Sequence, residues 1–160
     1  MSKRPWNRIN SAVYSVSSLS KAGSPNMNII SYVTSISMVP KRYIIGLYDN
    51  HLTLKNVQET GELVLQLLSQ DQANLVNLLG KKSGADIDKI SRLTRRKLLS
   101  EWAGYPILTQ SLAVLKLKVI KQFDAGDHIG FLLDVVDYKN VLEGEVLTLD
   151  HLREKKIIRA

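Results

Sequence analysis

The chain has 160 residues, a length that suits one domain, residues 1–160, folded around one hydrophobic core. Apolar residues make up 44% and charged residues 23%, which argues against a disordered chain, and the absence of cysteine excludes disulfides, thiolate metal sites and a cysteine nucleophile. The net charge of +7 favours anionic ligands without specifying which anion.

The first part of the chain predicts short strands joined by turns. Residues 12–17 alternate small or apolar with polar side chains, and residues 43–48 form a compact apolar run. Between them, a turn-rich segment at 21–26 precedes residues 28–36, which are rich in β-branched and aromatic side chains. Residues 63–68 are again typical of a strand. The sequence therefore predicts four strands before residue 69.

Helical signals interrupt these strands at three places. Residues 53–61 predict a short helix, with Thr53 as its N-cap and Gly61 as its C-terminal stop. The residue types at 69–72 fit a capping box, which predicts that a second helix begins there. Residues 86–99 have apolar side chains at helical spacing.

The end of the chain returns to strand patterns, at residues 115–119, 129–138 and 141–149. Strands and helices therefore do not alternate regularly, which argues against a doubly wound parallel sheet. We predict a mainly β fold, a β-barrel with inserted helices.

Several classes of protein lack their sequence signatures here. No continuous apolar block marks a signal peptide and no run of about 18 apolar residues marks a membrane span, so we expect a cytoplasmic protein without a membrane partner. The chain has no Gly-rich dinucleotide fingerprint, no phosphate loop and no G-x-S-x-G turn. Its histidines, His51, His128 and His151, do not occur at metal-ligand spacing, so we expect no metal site.

The start of the helix at 53–61 is a candidate phosphate site. If Thr53 is the N-cap, the amides of Leu54, Lys55 and Asn56 point outward without partners, and the helix dipole adds positive charge. A phosphate monoester would be favoured there, with the Thr53 hydroxyl donating another hydrogen bond. The alternative is an ordinary N-cap without a ligand.

Three other positions offer polar groups without a diagnostic motif. Segment 31–35 places hydroxyls beside an aromatic ring. His128 follows Asp127 in a turn that enters a strand, and Lys89 follows Asp88 in a predicted helix. The alternatives are a half-buried strand, a structural histidine and a solvated lysine.

These signals occur in the order of one known protein family. The matching segments are V-Y-S-V-S at 13–17, G-S-P-N at 23–26 with S-Y-V-T at 31–34, H-L-T-L-K-N-V at 51–57 with T-G-E at 60–62, S-G at 83–84 with D-K at 88–89, G-Y-P-I-L at 104–108 and G-D-H at 126–128. Through their order and spacing, the chain resembles the flavin reductase-like FMN-binding split β-barrel family, and within it the flavoredoxin branch. The resemblance implies a split β-barrel and a homodimer with FMN at the subunit interface.

The resemblance also implies roles for single residues. Asn26 matches the asparagine of the family's G-x-P-N turn, which is expected near the flavin. Thr53 and Asn56 match the T-x-x-N helix start, which is expected to hold the FMN phosphate. Lys89 and His128 match the D-K pair and the G-D-H turn, and we expect them near the cofactor, where they would stabilise the anionic reduced flavin.

Segment 31–35 matches the family segment that lines the isoalloxazine ring of the flavin. Tyr32 lies where the family often has tryptophan. The resemblance implies that the other members of this segment supply backbone and hydroxyl contacts to the ring: Ser31, Val33, Thr34 and Ser35.

The function implied is that of an NAD(P)H-dependent flavin reductase with non-covalent FMN and a small-molecule or protein electron acceptor. We assign no catalytic side chain, because hydride transfer to a flavin requires no proton-transferring residue.

One alternative is a flavoredoxin-like electron-transfer flavoprotein without its own NAD(P)H oxidase activity. Another is a nucleic-acid-binding barrel, which the basic charge favours. Aromatic residues make up only 6% of the chain and do not interleave with the basic residues at 81–97, so we expect no nucleic acid partner.

Overall fold

The protein is built from nine strands and four α-helices, in a computed structural model that describes residues 4–159. The strands are β1 (Tyr14–Leu19), β2 (Pro25–Ile30), β3 (Val33–Ser37), β4 (Arg42–Tyr48), β5 (Glu62–Leu67), β6 (Leu99–Trp102), β7 (Tyr105–Leu108), β8 (Ala113–Asp124) and β9 (His128–Asn140). The helices are α1 (Leu52–Thr60), α2 (Val76–Gly80), α3 (Lys89–Arg95) and α4 (Leu149–Glu154), with 3₁₀ helices at Pro5–Arg8 and Gln70–Leu75. Seven strands form one antiparallel sheet in the order β2-β1-β5-β8-β9-β4-β3, and β6 pairs with β7 in a separate hairpin.

The two edge strands of the large sheet are neighbours in the chain. β2 ends at Ile30 and β3 begins at Val33, so only Ser31 and Tyr32 connect them. Three residue steps span at most about 10 Å, and the sheet must therefore curl until its edges approach each other at this corner. Within residues 4–159 no strand pairing joins β2 to β3. The predicted mainly β fold with inserted helices is confirmed, whereas hydrogen bonds do not close the predicted barrel.

Two apolar clusters lie on opposite faces of the curled sheet. The inner cluster includes Ile30, Phe131 and, from α1, Val57. The second cluster packs Met27 and other sheet residues against α2, α3 and α4, for example through Leu93 of α3. Because side chains alternate along a strand, the β2 residues at 26 and 28 share the inner face with Ile30.

Most of the predicted strands are confirmed with small shifts at their ends. Segments 12–17, 43–48, 63–68 and 129–138 correspond to β1, β4, β5 and β9, and 115–119 lies within the longer β8. The predicted strand at 28–36 is two strands, because the chain leaves one sheet edge at Ser31 and joins the other edge at β3.

The predicted N-cap of α1 is wrong by two residues. The helix begins at Leu52, and its N-cap is His51, whose side chain makes no capping hydrogen bond. Thr53 therefore occupies the second helical position instead of the N-cap. Gly61 ends the helix as predicted, with a φ of 71° in the left-handed region that favours glycine.

The predicted helix at 86–99 is shorter and is followed by a hairpin. α3 begins after Asp88, whose carboxylate accepts a hydrogen bond from the Ser91 N–H at 2.9 Å, and it ends at Arg95. The chain then forms β6 and β7 across a turn in which Gly104 has a φ of 83°. Each of these strands has only four residues, too few to display a clear period in the sequence.

The predicted strand at 141–149 is wrong. These residues form only two isolated bridges, at Val146 and Thr148, before α4 begins at Leu149. β9 already pairs with β8 and β4, so no free strand edge lies beside it.

The capping box at 69–72 is confirmed, although it opens the 3₁₀ helix that precedes α2. None of the helices in the described part of the chain is long and apolar enough to cross a membrane.

Candidate functional site

A polar cavity of about 440 Å³ lies between β2, the first turn of α1 and the segment at 79–89. Three predicted site residues line it: Asn26, Thr53 and Lys89. Asn28 and His51 line it as well. Among the described residues, Asp86 supplies the only carboxylate in its wall, so hydrogen-bond donors and basic groups dominate.

A second cavity, of about 450 Å³, has aromatic walls and lies on the edge strand β3. The predicted residues that line this aromatic cavity are Ser31, Tyr32, Val33, Thr34 and His128. Phe123 supplies a further ring, and it passes close over β9. A Cβ atom built on Gly130 would overlap this ring, so a larger residue at 130 would displace Phe123.

Thr53 is fully buried and hydrogen-bonded across to β2. Its hydroxyl oxygen accepts a hydrogen bond from the Asn26 side-chain amide at 3.2 Å. The hydroxyl retains its own hydrogen, which is available to an acceptor in the polar cavity.

The free amides of α1 differ from those predicted. The Leu54 N–H donates to the His51 carbonyl at 3.1 Å, so it does not point outward without a partner. Within residues 4–159, the amides of Leu52 and Thr53 have no hydrogen-bond acceptor, and both residues line the polar cavity. The helix start thus presents two free amides, those of Leu52 and Thr53, in place of the predicted three at residues 54–56.

Lys89 is the most deeply buried basic group in the polar cavity, with 3% of its surface exposed. Its ammonium donates hydrogen bonds to the carbonyls of Met27 at 3.0 Å and Leu79 at 2.8 Å. No carboxylate pairs with it in the described chain. Burial lowers the pKa of Lys89 to about 8. The third ammonium hydrogen donates to neither carbonyl.

A row of rings connects the two cavities. His128 packs edge-to-face against Tyr32, with ring centroids 4.9 Å apart, and against Tyr48 at 5.0 Å. Tyr48 also lies 5.3 Å from the ring of His51, which belongs to the polar cavity. The His128 Nδ1 is 2.6 Å from a carboxylate oxygen of Asp127, which orients the imidazole.

Electrostatics also couple the two cavities. Burial lowers the pKa of His51, and the nearby basic groups Lys89 and His128 lower it further. His51 is therefore predominantly neutral at pH 7, since its ordinary pKa is about 6.5.

Two predicted residues lie outside both cavities. Asn56 is buried on α1, where its amide donates to the Ser18 hydroxyl at 3.0 Å while its carbonyl oxygen has no partner. It lines an adjoining cavity of about 740 Å³ together with Asn26. Ser35 is exposed on β3. Their contacts with a cofactor stay predictions.

Sequence reasoning did not single out four residues of the site: Asn28, Tyr48, His51 and Phe123. A signal existed for Asn28, which follows Asn26 at the two-residue spacing of one strand face. The other three reach the site through strand pairing and a helix cap, which no local pattern reveals.

The residues of both cavities fit FMN by their chemistry. The polar cavity offers two free amides, a hydroxyl and an ammonium group to a phosphate, and the aromatic cavity offers rings and apolar side chains to a flat heterocycle. The described residues contain no cluster of three or more His, Asp or Glu side chains that could hold a metal ion.

Comparison with known proteins identifies relatives of the chain. It is 28% identical over 133 residues to a high molecular weight rubredoxin of Moorella thermoacetica, a match that covers 82% of this chain and 57% of that protein. It is 25% identical over 159 residues to a ferric-chelate reductase (NAD(P)H) of Archaeoglobus fulgidus, covering 97% of this chain and 92% of that protein. The chain therefore spans little more than half the length of the Moorella relative.

Two solved structures share the fold at lower identity. The FMN-binding protein from Thermus thermophilus has a TM-score of 0.75 at 20% identity, over 88% of this chain and 77% of that one. Flavoredoxin from Methanosarcina acetivorans has a TM-score of 0.73 at 14% identity, over 95% and 83%. A family model described as flavin reductase like domain matches residues 6–156. Since that match covers nearly the whole sequence, the chain belongs to the flavin reductase-like domain family.

Proposed function

We propose that the protein binds FMN without a covalent bond and works as an NAD(P)H-dependent flavin reductase. The observation that carries this proposal is the arrangement of the two cavities, one rich in anion-binding donors and one with aromatic walls, joined through Tyr48. A ligand with a phosphate at one end and a flat ring at the other matches this arrangement. Membership of a flavin reductase-like family supports an oxidoreductase.

The polar cavity is our proposed phosphate site. The free amides of Leu52 and Thr53 would donate to phosphate oxygens at the positive end of the helix dipole. The Thr53 hydroxyl and the Lys89 ammonium would add further donors. The neighbouring Lys81 and Lys82 also line this cavity and add positive charge. Asn26 would act indirectly by holding the Thr53 hydroxyl in place.

The aromatic cavity is our proposed site for the isoalloxazine ring. Bound FMN would supply the hydride chemistry, and the protein would orient the ring and exclude water. Tyr32 and Val33 would cover one ring face, and neighbouring hydroxyl and amide groups would contact its polar edge. His128, oriented by Asp127, is our candidate for the polar contact that stabilises the reduced ring. Lys89 lines the other cavity, so we assign its charge to the phosphate.

Replacement of Thr53 tests the phosphate site. In Thr53→Glu a carboxylate would face the phosphate, and we expect FMN affinity to fall at least about 100-fold. Thr53→Ser keeps the hydroxyl and should retain near-normal affinity. The measurement is flavin absorbance of the purified proteins, followed by titration with FMN, with thermal unfolding as the check on folding. Wild-type retention of FMN by a folded Thr53→Glu protein would contradict the site.

The buried ammonium of Lys89 predicts a pH dependence of FMN binding. A lysine is charged below its pKa, so the attraction for the phosphate dianion is complete below about pH 8 and is lost as the pH rises further. The phosphate itself is a dianion above about pH 6. We expect affinity to fall by up to about tenfold per pH unit above 8. In Lys89→Met, binding should be weak and should not change between about pH 7 and about pH 9.5, a range that brackets the lysine pKa. A flat wild-type titration over that range would exclude this role.

The two relatives from Moorella and Archaeoglobus guide the choice of electron acceptor. A ferric chelate is one candidate acceptor, because one relative is a ferric-chelate reductase (NAD(P)H). The other relative is a rubredoxin, which favours the second candidate function, an electron-transfer flavoprotein without its own NAD(P)H oxidation.

Steady-state assays separate these two functions. We expect the FMN-loaded protein to oxidise NADH or NADPH with a ferric chelate or free FMN as acceptor, and Thr53→Glu to lose this activity. If the loaded protein does not turn over either nucleotide, yet its chemically reduced flavin passes electrons to an acceptor, the electron-transfer function is correct and the reductase proposal is wrong.

We also propose that the protein is a homodimer with FMN at the subunit interface, and exposed apolar side chains at both ends of the edge strand β3 support this. Tyr32 is 64% exposed, and in the turn after β3 Met38 is 80% and Val39 92% exposed. An apolar group of this kind at a sheet edge is typical of an interaction surface.

A charge in this apolar surface should separate the subunits. We expect Met38→Glu to shift the protein from dimer to monomer in sedimentation equilibrium and to weaken FMN binding, because the partner would no longer cover the ring. Leu142→Glu, which alters an exposed leucine elsewhere, is the matched control and should stay dimeric. A wild-type protein that sediments as a monomer would rule out the dimer.

A further inference from the structure

Asn28 carries an unused hydrogen-bonding group in the polar cavity. The residue is 5% exposed on β2, and its carboxamide oxygen is fully buried without a hydrogen-bond partner. An unsatisfied buried polar group destabilises a fold by about 1–3 kcal/mol, and such groups are rare in native proteins. Asn28 therefore lies where a hydrogen-bonding partner from outside the described chain would be favourable.

The neighbours of Asn28 on the same strand face show why its group is free. Asn26, two residues earlier, is bonded to the Thr53 hydroxyl. Ile30, two residues later, packs in the inner apolar cluster. Asn28 lies between them, opposite Val16 of β1, which offers it no polar side chain.

Asn28 also lies on the strand that leads from the polar cavity towards the aromatic cavity. β2 starts at the polar cavity, which Asn26 lines, and leads into Ser31, which lines the aromatic cavity. With a rise of about 3.3 Å per residue, Asn28 stands between the proposed phosphate and ring positions. The part of a ligand that joins phosphate to ring would pass beside it.

We propose that the Asn28 carboxamide hydrogen-bonds a hydroxyl of the polyol chain between phosphate and ring, and so makes the site selective for a ribityl phosphate. The inference rests on the proposed FMN function. A carboxamide has one end that accepts and one that donates, and a hydroxyl does both, so the pair forms in either orientation of the amide. A phosphate oxygen would pair only with the donating end.

Substitution of Asn28 by leucine, of similar volume, tests this role. The full-length protein is titrated with FMN and with its 2′-, 3′- and 4′-deoxy analogues, and the unfolding of the ligand-free protein is followed. We expect Asn28→Leu to bind FMN about tenfold more weakly. One deoxy analogue should bind the wild type and Asn28→Leu equally, because that analogue lacks the hydroxyl concerned. The same change at exposed Asn77, outside the cavity, is the matched control.

The ligand-free protein distinguishes this role from a structural one. If the carboxamide oxygen is unpaired until a ligand binds, the ligand-free Asn28→Leu protein is at least as stable as the wild type, because the substitution removes an unsatisfied polar group. A clear loss of stability would overturn the inference and assign the carboxamide to the fold. FMN affinity of Asn28→Leu within twofold of the wild type would also overturn it, while wild-type protein that binds no FMN would overturn the proposed function itself.

Discussion

Two residues, Ser31 and Tyr32, must carry the chain from one edge of a seven-stranded sheet to the other. The short reach of this link compels the sheet to curl, because the chain between Ile30 and Val33 spans only about 10 Å. The same link joins β2, which begins at the polar cavity, to β3, which lines the aromatic cavity. This corner therefore positions the two cavities relative to each other. A ligand with a charged group at one end and a flat ring at the other would depend on that arrangement.

The buried ammonium of Lys89 is the second constraint. It ties the start of α3 to β2 and α2 through the carbonyls of Met27 and Leu79. Burial of a charge without a countercharge is unfavourable, which its lowered pKa reflects. An anionic ligand in the polar cavity would supply the missing charge, so the group that weakens the ligand-free protein is the group that would strengthen binding.

The polar residues of the site fall into two groups. Asn26 and Asn56 hold other side chains, the first through Thr53 and the second through Ser18. Their amides stabilise the contact of α1 with the first two strands. The carbonyl oxygen of Asn28 has no partner, and burial, reinforced by nearby basic groups, lowers the pKa of His51 and keeps it neutral. The carbonyl oxygen of Asn56 is unpaired as well, but Asn56 lies outside the polar cavity, so among these three asparagines only Asn28 places an unpaired oxygen in that cavity.

Local patterns determined much of this protein. Apolar alternation predicted the central strands and the glycine at 61 predicted the end of α1, because each depends on residues close together in the chain. Nine short segments in order predicted the family, because their order and spacing can be read along the sequence. The tertiary structure decided the rest. It split the segment at 28–36 across two sheet edges, moved the helix cap from Thr53 to His51 and left residues 141–149 without a strand to pair with. It also gave Asn28 its unpaired oxygen. These features depend on which distant strand or helix packs against a residue, and the sequence around that residue does not encode its partners.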